Sequence, residues 1–139
     1  IHDEHHPVKI FVAPTMKFME WRVAIQTENY DYVGRAYGRN ITFSDKVKRQ
    51  QFSPDTLLWQ IKSNPEIRTF LKFSSIYRWQ IRKLDDHTTE IRLIDLRYLN
   101  KGHYSFAAIA HLTQDQKIDH SYIGWVFTEE KLQKKLYSH

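Results

Sequence analysis

The run Asp95-Leu96-Arg97-Tyr98 sets a carboxylate and a guanidinium two residues apart in an otherwise apolar stretch. Burying either charge alone is costly, so the two must pair with each other, pair with charges on adjacent strands, or face a wet cleft. Paired, they are a structural ion pair. Facing a cleft, Arg97 becomes a fork for a carboxylate or phosphate, with Tyr98, Trp21, Trp79 and Tyr122 available as an apolar wall. For general acid–base work the sequence offers Asp95 and His111, and it assigns no catalytic residue outright.

Metal chemistry finds less. His103 and His111 fall on one face of one strand, about 26 Å apart at ~3.3 Å per residue, too far to share an ion; His120 lies on the next strand, across a hairpin. The opening His2-Asp3-Glu4-His5-His6 has ligand types for a divalent ion, but a polar terminus fixes no geometry and no metal ligand is assigned. There is no glycine-rich phosphate loop, no Gly-x-Ser-x-Gly, no His-Glu-x-x-His and no dinucleotide signature. With no cysteine, thiolate catalysis and cysteine-held zinc or iron–sulfur clusters are excluded.

Two short basic clusters, Lys46, Lys48 and Arg49, and Lys134 and Lys135, could meet phosphate or anionic lipid. The chain carries 21 basic against 16 acidic residues, for a net charge of +5. That excess is spread along the chain, which speaks against a nucleic-acid arm and for solvated faces.

The elements that must position these groups follow from periodicity. Residues 1–13 read as a linker or N-terminal extension, and 14–139 as one domain. Trp21, Val23 and Ile25 alternate with Arg22, Ala24 and Gln26, a half-buried strand that turns at Glu28-Asn29 and returns as 30–37. The stretch 39–52 reads as a short strand and an exposed loop. Ser53-Pro54-Asp55 and Asn64-Pro65-Glu66 each open a helix, predicting a helical insert at about 54–72 that covers one sheet face.

Alternation resumes at Tyr77, Trp79 and Ile81, turns at Asp85-Asp86-His87 and runs back over 89–98. There the apolar parity switches from Ile91 and Leu93 to Ile94 and Leu96, which a bulge or burial on both faces would explain. Strands at 104–112 and 118–125 follow, then Thr128-Glu129-Glu130 starts a short C-terminal helix. The class is α+β, with a single curved antiparallel sheet of about six strands.

Five segments in order resemble the soluble C-terminal domain of the predicted inner-membrane-associated, membrane-bound metal-dependent hydrolases. They are Pro14-Thr15 with Trp21-Arg22-Val23, Tyr32-Val33-Gly34, Phe70-Leu71-Lys72-Phe73-Ser74, Asp95-Leu96-Arg97-Tyr98 and Ser121-Tyr122-Ile123-Gly124, covering most of 14–125. The resemblance implies a membrane-associated parent whose divalent metal sits in a membrane-embedded part outside this chain. It implies no cofactor here, a partner in the parent's own transmembrane region, and a soluble domain on the cytoplasmic side. A start at Ile1 with a polar opening fits a fragment cut just after a membrane span.

The expectation is therefore an extramembrane accessory domain that binds a ligand or partner rather than breaking a bond. Asp95, Arg97 and Tyr98 would line its working surface, with a small anion as the ligand. The alternatives are a regulatory protein- or nucleic-acid-binding module using the lysine clusters, and a small stand-alone enzyme with an aromatic-walled pocket.

Overall fold

Alternating apolar and polar residues make β2 (Glu20–Gln26) and β3 (Tyr30–Tyr37), antiparallel with Val23 opposite Gly34 and Ile25 opposite Tyr32. They belong to a computed structural model that describes residues 9–49, 61–99 and 105–137. The sheet is completed by β1 (Lys9–Pro14) and β4 (Asn40–Lys48) at its edges, in the order β1-β2-β3-β4. Most of β1 falls in the stretch read from sequence as a linker, yet Ile10 and Val12 pair with Ile25 and Val23 as an ordinary ladder. Likewise β4 fills most of the predicted loop. Its register slips between Val33 and Gly34, where a Cβ on Gly34 would collide with the Thr42 carbonyl oxygen. Buried Val23, Ile25 and Tyr32 form the cluster on one face, with Tyr30, Ala36 and Phe43 packed against them.

Asn64 starts α1 (Pro65–Phe73): its side chain accepts from the Glu66 and Ile67 amides at 3.0 and 3.1 Å, with Pro65 at the first turn. Residues 61–63 are also helical. The Ser53 start lies outside the described residues. Four strands follow in sequence order: β5 (Tyr77–Lys83), β6 (Thr89–Asp95), β7 (Ser105–Leu112) and β8 (Ile118–Val126). Ile61, Ile67 and Phe70 cover one face of this sheet, against Ile91, Leu93, Ala108, Ala110 and Leu112.

On the opposite face lies α2 (Glu129–Leu136), capped by Thr128, with Leu132 and Leu136 against Ile94, Ala107 and Ile109. Strand β6 is thus buried on both sides, with no slip in its register to β5 or β7. That accounts for the switch in apolar parity without a bulge.

The single sheet of about six strands expected from sequence is corrected to two four-stranded sheets among the described residues. Hairpin turns tell each strand which sequence neighbour it pairs with, but say nothing of whether β4 bonds to β5 across a long helical connection. Here one ladder ends at β4 and a new one starts at β5. The chain divides correspondingly into two compact units, 1–49 and 50–139.

Candidate functional site

Asp95 closes β6 and begins a turn rather than continuing the strand to Tyr98. Its Oδ1 accepts from the Arg97 amide at 2.9 Å, and the Arg97 guanidinium folds back onto the same carboxylate, Nε at 3.0 Å from Oδ1 and NH2 at 2.7 Å from Oδ2. Ser74 donates to Oδ2 from the end of α1. Arg97 also donates to the Phe73 carbonyl at 3.0 Å, so a cation satisfies an orphan carbonyl at the helix C-terminus. The hydrogen bond to Asp95, opposed by partial burial and helped by its charge, raises the Arg97 pKa further. Asp95 is fully buried and holds turn, helix end and guanidinium together.

Around this clamp the aromatic rings form a closed circuit. The Arg97 guanidinium lies 5.1 Å from the Phe73 ring and 5.0 Å from the Tyr98 ring. Phe73 contacts Phe106 at 5.3 Å, Phe106 contacts Trp125 at 5.6 Å, and Trp125 contacts Tyr98 at 5.4 Å. Phe73 and Trp125 are exposed, and so is Phe127, just past β8.

A second cluster occupies the other face of the same sheet. Cross-strand pairing sets Glu90 opposite His111 and His111 opposite His120. His111 Nε2 lies 2.9 Å from Glu90 Oε2, and its Nδ1 lies 2.6 Å from the hydroxyl of Tyr137, the residue that ends α2. A neutral imidazole that donates to Glu90 accepts from Tyr137. Glu90 Oε1 takes Arg92 NH2 at 2.8 Å and Arg82 NH2 at 3.5 Å, while Arg92 reaches Glu129 at the start of α2 with both terminal nitrogens.

Burial opposes the Glu90 carboxylate, but the His111 hydrogen bond and the Arg92 and Arg82 charges outweigh it and hold its pKa below the usual range. Desolvation, aided by Asp119 and Glu90, pushes the Tyr137 phenol up. The phenol is a proton donor at neutral pH and not a nucleophile. Gln80, Ile81, Arg82, Glu90, Arg92 and Glu129 line an open cleft of about 410 Å³.

The predicted site residues are thus only partly gathered. Asp95, Arg97 and Tyr98 come together. Trp79 stacks edge-on to Tyr77 on the α1 side of the sheet, whereas Tyr122 packs on the α2 side, where it donates to the Trp125 carbonyl and accepts from Lys135. Trp21 belongs to the N-terminal unit. The basic clusters are split between the two units and largely engaged. Lys46 sits 4.5 Å from the centre of the Tyr30 ring, Arg49 donates to the Thr27 carbonyl and faces Asp31, and Lys134 pairs with Glu130. Lys48 is exposed on β4.

His2, His5, His6 and His103 lie outside the described residues. Among the described residues no group of three or more His, Asp or Glu is arranged to hold a metal. Glu90, which sequence reading missed, was signalled by Glu90 and Arg92 occupying alternate positions of an apolar strand. Tyr137 had no such signal, because its partner is 26 residues away.

The comparisons with known proteins overturn the hydrolase resemblance. A model of the YfhP middle domain matches residues 4–47, and one of the YfhP C-terminal alpha/beta plait domain matches 56–136. The chain is 45% identical over 136 residues to the uncharacterized protein YfhP of Bacillus subtilis (strain 168). That match takes in 98% of this chain and 41% of the relative, so the chain spans well under half of the relative's length. No solved structure matches.

The five segments that suggested a hydrolase domain lie in strands, in turns and at the end of α1. Among the described residues no helix is long and apolar enough to cross a membrane. The domain boundaries of the two family matches follow the two compact units closely. The chain belongs to the YfhP family and comprises its middle and C-terminal α/β plait domains.

Proposed function

We propose that the C-terminal unit is a binding module that takes an apolar side chain of a protein partner on the surface formed by Phe73, Tyr98, Phe106 and Trp125. One observation carries this reading: the four rings and the Arg97 guanidinium form a closed circuit whose members Phe73 and Trp125 are exposed. Rigid aromatic groups supply contact area at low entropic cost, and a planar cation stacked on two of them holds their orientation.

Both candidate bases support binding over catalysis. Asp95 is fully buried against Arg97 and Ser74, and His111 is 1% exposed with both ring nitrogens engaged. An anion seeking Arg97 would compete with Asp95 for Nε and NH2, so the anionic-ligand reading has weaker support.

Peptides with a central Leu or Trp, titrated against the 139-residue chain and read by tryptophan emission, test the proposal. Binding that Trp125→Ala and Phe73→Ala each weaken at least about tenfold, at unchanged fold by circular dichroism, is the expected result. Binding indifferent to both variants overturns it. So does hydrolysis of an ester or phosphate panel that His111→Gln abolishes.

A further inference from the structure

At one end of the N-terminal sheet the β1–β2 connection and the β3–β4 turn lie side by side, because Glu20 pairs with Tyr37 at the start of β2. The chain has built this end against the usual economy of a surface. Met16 is 104% exposed and Phe18 87%, with Met19 at 55% beside them. Tyr37 is 62% and Ile41 54% exposed on the neighbouring strands, and Trp21 is 44%. Met19 adopts φ of 61°, and Thr15 receives the Lys17 amide and donates to Glu20, so the loop is a built turn that turns its apolar side chains outward. Soluble surfaces scatter single apolar residues, and six large ones exposed around one sheet end, Trp21 and Ile41 on one face and Tyr37 on the other, mark an interaction site.

The charge distribution selects the occupant. Residues 15–22 and 35–42 hold Lys17, Arg22, Arg35 and Arg39 against one acid, Glu20. Glu20 is itself held by Thr15 and Arg35. Lys17 stands between Met16 and Phe18, and Arg39 follows Gly38, whose φ of 59° makes the tight turn. A sheet end that exposes Met, Phe, Ile, Trp and Tyr beside the exposed cations Lys17 and Arg39 matches the membrane interface. There apolar tips enter the acyl boundary, Trp and Tyr sit at headgroup level, and Lys and Arg meet lipid phosphates. A pocket-seeking protein interface would instead be flat or concave, with charge depleted at its centre.

We infer that this end of the N-terminal sheet is a peripheral membrane-insertion tip, with Met16 and Phe18 entering an anionic bilayer surface and Lys17 and Arg39 contacting its headgroups. Sedimentation of the 139-residue chain with phosphatidylcholine vesicles, with and without phosphatidylserine, tests it. The expected result is binding that requires phosphatidylserine, falls with added salt, and drops at least about tenfold in Met16→Asp/Phe18→Asp. Lys17→Glu/Arg39→Glu, a second variant that leaves the apolar tip intact, should abolish the phosphatidylserine dependence, while Trp125→Ala in the C-terminal unit binds as the parent does. No sedimentation with either vesicle overturns the inference. Binding that survives both tip variants, or that Trp125→Ala removes, overturns it as well and assigns vesicle contact to the C-terminal unit.

Discussion

The two units are both four-stranded antiparallel meanders in sequence order, yet they bury their strands differently. In the C-terminal unit a helix covers each face, so β7 reads as a near-continuous apolar run, β6 buries apolar residues on both sides, and the polar groups Glu90, Asp95 and His111 had to find partners inside. The N-terminal unit contains no helix among its described residues. Among its described residues Val23, Ala24, Ile25, Tyr32 and Val33 are buried, and its hairpin end leaves large apolar groups in solvent. Both sheets internalise a carboxylate into a satisfied network, Asp31 with Gln26 and Arg49 in the first and Glu90 and Asp95 in the second, but only the N-terminal sheet leaves a group of large apolar side chains exposed at its hairpin end.

Truncation should separate the two units most sharply. Residues 50–139 alone should retain a cooperative thermal transition by circular dichroism, because eight- and five-residue buried clusters lie within them. Residues 1–49 alone should show none; a cooperative transition there would mean that the small cluster suffices.

Within the full chain, Phe70→Ala removes the ring that fills the α1 side of the sheet and should cost about 3–5 kcal/mol in denaturant unfolding. Asp95→Ala removes the carboxylate that Arg97 and Ser74 share at a buried clamp and should cost about 3 kcal/mol, a value that would fall below about 1 kcal/mol if the clamp were merely a surface pair.

A smaller effect is carried by pH. The folded pKa of Glu90 lies below its unfolded value, so the stability it contributes is present above the ordinary Glu pKa of about 4.3 and is lost as pH falls through the folded pKa. The fall of stability in acid should therefore be shallower in Glu90→Gln than in the parent. An unchanged slope in acid would assign the effect to other carboxylates, Glu129 first. The smallest effect belongs to the hairpin tip. Phe18→Asp should change stability by less than about 0.5 kcal/mol, since the ring has little to lose on leaving solvent-exposed space.

Much of the secondary structure was legible because its causes are local. The Asn64-Pro65-Glu66 start, the Thr128 cap and the turns at Glu28-Asn29 and Asp85-Asp86-His87 depend on residues within a few positions of one another. The pairing of Asp95 with Arg97 was legible for the same reason, being a contact across two residues. The proposed wall of Trp21, Trp79 and Tyr122 was not, because alternation tells which residues share a face of one strand but not which faces of different strands meet. Trp79 and Tyr122 fall on opposite sides of one sheet, and Trp21 falls in the other unit.

The sequence by itself determined the α+β class, the antiparallel hairpins, the capped helix starts and the need of Asp95 and Arg97 for partners, since backbone propensity, capping and charge burial act over short stretches of chain. Tertiary structure alone decided that there are two sheets rather than one, that β6 is covered from both sides, and that Glu90, His111 and Tyr137 meet. Those outcomes depend on which distant surfaces pack together, and long-range packing is written in the sum of many weak contacts rather than in any motif.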